Sequence, residues 1–174
     1  GAFLLERIQA AAERGVRVRI ILDDYLLGLD DASLARIDAH PNVEVRIFNP
    51  YRDRMRWSRP LQMLFNLDRL GRRMHNKVFV ADGQIGILGG RNISNHYMEG
   101  EAEANFRDVD LLASGPVVGE ALRSFDAFWN SEIVVPVAAF EARPADNDDA
   151  LHFDRLRAEA AAGRGPYAEY GQRK

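Results

Sequence analysis

The segment from residue 75 to residue 92, HNKVFVADGQIGILGGRN, places an imidazole and an ammonium two positions apart among apolar residues. Its apolar alternation predicts a strand, and side chains two positions apart on a strand point to the same face. His75 and Lys77 are therefore expected to project side by side. The Asp82-Gly83 pair that follows predicts a tight hairpin turn, with Asp82 fixing the geometry of that turn.

The return strand of this hairpin ends at two glycines, Gly89 and Gly90, followed by Asn92. Glycines let backbone N–H groups approach an anion closely, and the Asn92 amide can donate to the same place. With Lys77, these groups suit a phosphodiester, whose oxygens gain negative charge during displacement. His75 can attack phosphorus or protonate a leaving oxygen, because an imidazole exchanges a proton near neutral pH. This chemistry needs no metal or cofactor.

A carboxylate behind the imidazole would orient it and strengthen it as a base. The predicted strand DVDLLAS carries Asp108 and Asp110 on one face, and Asp108 is the first candidate for this role, with Glu103 second. The alternative is that His75 and Lys77 are satisfied core residues. A buried lysine is rare unless it is paired, so its combination with the glycine pair favours a site.

The composition limits the classes of protein to which the chain can belong. It has 174 residues, 47% of them hydrophobic, which fits one core-bearing domain with an appendage. A formal net charge of −3 argues against nucleic-acid binding by charge alone. The absence of cysteine excludes disulfides, thiolate metal sites and cysteine nucleophiles. No signal peptide is visible and no apolar run approaches the ~18 residues that span a bilayer, so any membrane contact is expected to be peripheral.

The elements around the motif alternate in the manner of an α/β fold. Helix, strand, helix and strand are predicted in order within residues 3–48, which favours parallel neighbours in a sheet. An amphipathic helix is predicted over residues 115–132, with Pro116 near its first position. We expect a mixed β-sheet flanked by helices on both faces over residues 1–135, and a linker or docking tail over residues 136–174.

The segment before the motif, residues 49–73, is rich in arginine and has two interpretations. It is either a solvated basic loop or a segment that gathers anionic headgroups, each cation near an anionic surface contributing about 1 kcal/mol. Its stretch WSRPLQMLF suits the acyl boundary of a membrane. We expect instead that the apolar residues Leu61, Leu64 and Phe65 pack on the sheet.

The spacing H-x-K-x4-D followed by G-G-x-N resembles the HKD motif of the phospholipase D superfamily at every position. The resemblance extends through AAERGVRVRIILDD, HPNVEVRIFNP, RLGRRMHNK and FRDVDLLASGPVV to the first half of bacterial cardiolipin synthases, and it is nearest to their C-type branch. It covers residues 1 to about 135. The family's half-domain usually opens with a strand, whereas this sequence starts at the helix that follows.

The resemblance implies a role for each residue of the motif. His75 would be one of two active-site histidines, acting as the nucleophile or as the acid on the leaving alcohol, with Asp108 as the carboxylate behind it. Lys77 and Asn92 would bind the phosphate, with the two glycines beside them. Asp82 would be the structural third letter of the motif. Further candidates for contacts with the substrate headgroup are Tyr25, Arg72, Arg73 and His96.

The same resemblance implies phosphatidyl transfer in cardiolipin synthesis through a covalent phosphohistidine, without a metal or cofactor. The family's site needs two motifs facing each other, and this sequence has one, since no other histidine has a lysine two residues on. We therefore expect a one-motif lobe, inactive alone, that pairs with a second HKD half-domain from a missing C-terminal region or from a homodimer mate.

The expected substrate is an anionic phospholipid, and the expected location is peripheral, on the cytoplasmic side of the bacterial inner membrane. Two alternatives stay open from the sequence. The first is a homodimeric phospholipase D-type nuclease or phosphodiesterase, for which nucleic acid becomes a partner. The second is a non-enzymatic lobe that binds anionic lipid.

Overall fold

The chain builds two small sheets and four α-helices in the residues that the structure describes. The computed structural model describes residues 2–25, 31–52, 58, 62, 64–90, 108–140, 158 and 162. In chain order the elements are α1 (Ala2–Glu13), β1 (Val18–Asp23), α2 (Asp31–Asp38), β2 (Val43–Phe48), α3 (Leu67–Leu70), β3 (Lys77–Ala81), β4 (Ile85–Gly89), β5 (Asp110–Ser114), α4 (Pro116–Trp129), β6 (Val134–Pro136) and a 3-10 turn (Val137–Ala139). They divide into two compact units. The first unit consists of Ala2–Arg73 together with the chain from Glu132 onward, and the second unit is Met74–Ser131.

The first unit is organised by a mixed sheet in the order β1-β2-β6. β1 and β2 run parallel from the Val18–Val43 pair onward, and β6 joins β2 antiparallel. The strict alternation of β2 turns Val45 and Ile47 to a face where both are fully buried. Helices α1 and α2 cover this face, and Ala12 and Leu34 are in its core. α1 ends where Gly15 takes a positive φ of 92°, a conformation that glycine adopts without steric cost.

The second unit is an antiparallel sheet in the order β3-β4-β5, packed on α4. Pro116 opens α4, because proline's fixed φ suits the first helical position and its missing N–H is not needed there. Val118 of α4 is fully buried, and a Cβ at Gly86 of β4 would lie 3.7 Å from its Cγ2. Gly86 therefore faces α4, and its strand neighbours Ile85 and Ile87 face away from the helix.

The turn between β3 and β4 is the hairpin turn predicted from the sequence. Asp82 and Gly83 both have positive φ values, 53° and 64°, and the Gln84 N–H donates to the Ala81 carbonyl oxygen at 3.1 Å. Aspartate and glycine are the residues that tolerate this left-handed backbone. The turn fixes which residues of β3 and β4 stand opposite each other.

The α/β class expected from the sequence is confirmed, with a difference in its detail. The described strands form two sheets rather than one mixed sheet, because β3 pairs only with β4 among the described strands. Helices α1 and α2 contribute to one core with the first unit's sheet, and α4 packs on the second unit's sheet. The packed core also continues past residue 135, since Val137 is buried and Phe140 packs against the first unit's core. The tail expected over residues 136–174 otherwise stays a prediction.

One packing expectation was wrong. Leu64 and Phe65 do not pack on a sheet: they are 65% and 75% exposed. Within this segment Leu70 of α3 is fully buried and supplies apolar packing instead. Leu61 lies outside the described residues. Helical or strand spacing identifies residues that share a face, but it does not show whether another element covers that face.

Asn49 joins the end of β2 to the segment that leads toward the motif. Its φ is 48°, and its side chain is almost fully buried. The Asn49 Nδ2 donates to the carbonyl oxygens of Arg69 and Arg72, at 2.6 and 2.9 Å, and its Oδ1 accepts from Arg69 Nη1 at 2.8 Å. Asparagine fits because it tolerates the left-handed region and carries both a donor and an acceptor.

We expect Asn49→Asp to lower the free energy of unfolding by about 3 kcal/mol, because it removes the N–H donor and turns a carboxylate oxygen toward two part-buried carbonyl oxygens. The shape and the backbone tolerance of the residue are retained. Urea unfolding followed by circular dichroism measures the change.

The matched control is Asn130→Asp, at an exposed residue whose side chain donates to the Asp126 carbonyl oxygen at 2.8 Å at the end of α4. A negative charge at a helix C-terminus there is expected to cost under about 1 kcal/mol. Equal losses in the two variants would contradict the assigned role of Asn49.

Candidate active site

Lys77 is the first residue of β3, and its ammonium is held at that end of the strand. Its Nζ donates to the His75 carbonyl oxygen at 2.9 Å. His75 precedes the strand and its side chain is exposed. The strand was expected to include His75. Among the described residues the strand begins at Lys77, which pairs with Gly89, the last residue of β4.

A row of three residues crosses the sheet at this end. Lys77 pairs with Gly89, and Gly89 pairs with Asp110, the first residue of β5. Because Gly86 faces α4, Gly89 and both of its partners face the opposite side. Lys77 and Asp110 therefore flank a bare glycine on the face of the sheet that α4 does not cover.

The two glycines make room for carboxylates. A Cβ at Gly89 would lie 2.9 Å from Asp110 Cγ and 3.0 Å from Asp110 Cα, and a Cβ at Gly90 would lie 2.9 Å from Asp108 Oδ1. Separations under 3.0 Å cannot be accommodated without movement, so the Asp110 carboxylate lies over the Cα of Gly89. The Gly90 N–H is aimed at the Val109 carbonyl oxygen, at 3.4 Å. The expectation from the sequence that these glycines expose N–H groups to an anion stays a prediction.

Asp82 is at the other end of β3. It lies in the hairpin turn, five residues from Lys77, which is about 16 Å along an extended strand. A carboxylate there does not reach a phosphate held at Lys77. Of the residues expected to be catalytic, Asp82 is the one whose position supports a structural role in the turn.

The remaining motif residues are only partly tested by the geometry. Asp108 precedes β5 rather than lying on it, and no hydrogen bond joins its carboxylate to His75 in the part of the chain that the structure describes. Its role behind the imidazole stays a prediction. Asn92, Glu103 and His96 lie outside the described residues.

The other residues expected at a headgroup site, Tyr25 and Arg73, meet in the first unit. The Arg73 guanidinium lies 5.0 Å from the centre of the Tyr25 ring and 5.4 Å from that of Tyr51. Its Nη1 pairs with Asp23 Oδ1 at 3.1 Å, and the same oxygen accepts the Tyr25 N–H at 2.7 Å. Arg73 is thus largely buried between two rings, whereas the Arg72 side chain is exposed.

Asp110 and Asn49 were not assigned roles from the sequence. The sequence did contain a signal for Asp110. A hairpin centred on Gly83 pairs residue 77 with residue 89, and the strand that follows brings an acidic residue to the same end of the sheet. Asn49 carried no comparable signal, since its partners are 20 and 23 positions away.

None of the described helices is both long enough and apolar enough to cross a membrane.

The chain belongs to the cardiolipin synthase, PLD-like domain family, whose model matches residues 2–129. It is 45% identical over 138 residues to cardiolipin synthase C of Escherichia coli K12, a match that covers 79% of this chain and 28% of that protein. It is 28% identical over 145 residues to cardiolipin synthase 1 of Staphylococcus aureus COL, covering 82% of this chain and 27% of that protein. The chain therefore spans less than a third of the length of these relatives.

We expect Gly89→Ala to lower the free energy of unfolding by about 1–3 kcal/mol, the usual cost of overpacking, because its Cβ meets the Asp110 carboxylate and Cα. Asp110→Ala in the same chain should recover part of the loss, since it removes the nearest atoms. The matched control, Gly86→Ala, places its Cβ at ordinary contact distances and should be neutral or stabilising by up to about 1 kcal/mol. A Gly89→Ala variant as stable as Gly86→Ala would contradict the close approach of Asp110.

We expect Arg73→Lys to lower the free energy of unfolding by about 1–2 kcal/mol, because an ammonium cannot stack between two rings as a planar guanidinium does. Arg72→Lys, at the exposed neighbour, should change it by less than about 0.5 kcal/mol. Sedimentation with anionic vesicles distinguishes a role of Arg73 in packing from a role in binding lipid headgroups. A folded Arg73→Lys variant that binds vesicles much more weakly than Arg72→Lys would show that Arg73 contacts headgroups.

Proposed function

We propose that this chain is one lobe of a phosphatidyltransferase that makes cardiolipin through a covalent phosphohistidine. The observation that carries the proposal is the placement of Lys77: its ammonium is held at the His75 carbonyl, at the end of the sheet where a glycine lies opposite it. His75 is exposed there and accessible to a substrate. Membership in the cardiolipin synthase, PLD-like domain family supports the same chemistry.

The proposed transfer has two steps. In the first, an imidazole nitrogen attacks the phosphorus of a phosphatidyl group, a P–N bond forms and the P–O bond to the leaving alcohol breaks, while a second histidine gives the leaving oxygen a proton. In the second, a hydroxyl of another lipid attacks phosphorus, the P–N bond breaks and the hydroxyl proton passes to the second histidine. His75 is the nucleophile or the acid. Lys77, with Asn92, stabilises the charge that grows on the phosphate oxygens.

The second histidine would come from another HKD half-domain, and the surface beside Lys77 supports such a partner. Phe79, Ile87 and Leu112 form the middle cross-strand row on the same face as Lys77, and they are 52%, 44% and 78% exposed. A contiguous apolar surface of this kind usually marks an interaction site. We propose that the remainder of a longer polypeptide covers it, since the relatives are more than three times as long as the region they share with this chain.

Peripheral contact with a membrane is part of the proposal. Leu64 and Phe65 are exposed within the arginine-rich segment of residues 49–73. Apolar side chains beside cations suit the boundary between headgroups and acyl chains of an anionic membrane. This arrangement supports the interpretation in which WSRPLQMLF meets the lipid. The proposed location of the enzyme is the cytoplasmic face of the inner membrane.

The function is tested in a chimera. The matched region of E. coli cardiolipin synthase C is replaced by this chain, and cardiolipin is measured in membranes of cells that depend on the chimera for it. We expect the chimera to make cardiolipin, and His75→Ala to reduce the rate by at least about 100-fold, because a residue that forms or protonates the reacting bond is lost. The matched control is Glu120→Gln, on the exposed surface of α4, which should leave the rate unchanged.

An active His75→Ala chimera would overturn the proposed role of the motif. The 174-residue chain alone should make no cardiolipin, since it supplies one of the two histidines. Cleavage of plasmid DNA by the chain alone in the presence of a chelator, with a doubled mass in solution, would favour the homodimeric nuclease instead. Sedimentation with anionic vesicles combined with an inert chimera would favour a lipid-binding lobe.

A further inference from the structure

The carboxylate of Asp110 lies where a phosphate bound at Lys77 would be closest to the sheet. Asp110 and Lys77 flank Gly89 in one cross-strand row, and both face away from α4. The carboxylate reaches over the glycine, since a Cβ there would lie 2.9 Å from its Cγ and closer still to its Oδ1. Asp110 makes a further interaction in the structure, so its value to a phosphate site lies in the position of its charge rather than in a free carboxylate oxygen.

We propose that Asp110 is a specificity-determining residue that makes the phosphate site prefer phosphodiesters over phosphomonoesters. The inference rests on the proposed function, because it assumes that Lys77 binds phosphate. A diester carries one negative charge, whereas a monoester carries about −1.5 to −2 at pH 7. A fixed negative charge beside the ammonium repels the second charge of a monoester and leaves the single charge of a diester compensated by Lys77.

The discrimination has a clear use in a transferase of this type. Both the substrate and the product of the transfer are phosphodiesters. A phosphomonoester bound at the site would therefore not react and would only inhibit the transfer. Repulsion by one carboxylate does not exclude monoesters. It weakens their binding by about three- to sixfold per additional charge, the effect expected for charges ~4–6 Å apart in a water-like medium.

The test compares two small probes, methyl phosphate and dimethyl phosphate, at pH 7.5 and fixed ionic strength. Their dissociation constants for the 174-residue chain are measured by NMR from the amide shifts of Gly89 and Gly90. We expect Asp110→Asn to tighten the binding of methyl phosphate by about three- to sixfold relative to dimethyl phosphate. Asp110→Glu keeps the charge and should keep the preference of the parent chain.

Two controls separate charge from structure. Glu120→Gln removes the same charge from the exposed face of α4 and should leave the ratio of the two constants unchanged. Gly89→Ala displaces the Asp110 carboxylate without removing it, and should alter the ratio in the direction of Asp110→Asn. A loss of packing alone would weaken both probes together and would not change their ratio.

The outcomes distinguish the inference from the function on which it rests. If dimethyl phosphate binds at Gly89 and Gly90 and Asp110→Asn leaves the ratio unchanged, the inference about Asp110 is wrong and the phosphate site stands. If neither probe shifts these amides and Lys77→Ala makes no difference, the phosphate site is wrong and the inference falls with it.

Discussion

The register of the β3–β4 hairpin is the constraint on which the candidate site depends. It is set by two residues of left-handed backbone, Asp82 and Gly83, at the end of the hairpin opposite Lys77. With this turn, Lys77 stands opposite Gly89 and faces away from α4. A slip of one residue would turn Lys77 toward the buried Val118, where an ammonium would lose its hydration without gaining a partner. In the proposed phosphate site, the motif's aspartate would therefore act by fixing this pairing and would not touch the phosphate.

A residue of left-handed backbone also fixes the local structure in the first unit. Asn49 takes a left-handed conformation just after β2, and its buried amide binds the backbone around Arg69 and Arg72. Nearby, Arg73 lies between Tyr25 and Tyr51 with its Nη1 on Asp23. These contacts lie at the carboxyl ends of the parallel strands β1 and β2, where open α/β sheets commonly place functional loops. In this unit the local geometry is used to hold a basic segment in place through hydrogen bonds, an ion pair and ring contacts.

The sequence predicted the local elements well and the contacts between them poorly. The strand VEVRIF, the Asp82-Gly83 turn and the helix starting at Pro116 were all predicted, because each depends on alternation, turn chemistry or capping within a few residues. The Arg73–Asp23 pair joins residues 50 positions apart, and no local pattern indicates it. The exposure of Leu64 and Phe65 was mispredicted for the same reason, since the covering of an apolar residue is a long-range property. Asp108, His75 and Lys77 were placed near one end of a sheet, but the approach of Asp110 to Gly89 required the three-strand register.

The face of the sheet that carries Lys77 has an apolar row and a charged row, and a single segment packed on this face would affect both. Its middle row, Phe79, Ile87 and Leu112, is apolar and largely exposed, while the row at one end holds an ammonium, a glycine and a carboxylate. Exposed apolar surface of this extent is unfavourable in water. A segment packed on the middle row would remove it and would also lower the effective dielectric constant around Lys77. Interactions between charges strengthen as that constant falls, so both the attraction of Lys77 for a phosphate and the repulsion from Asp110 would increase. The electrostatic strength of the proposed phosphate site would therefore depend on the proposed partner that covers the neighbouring row.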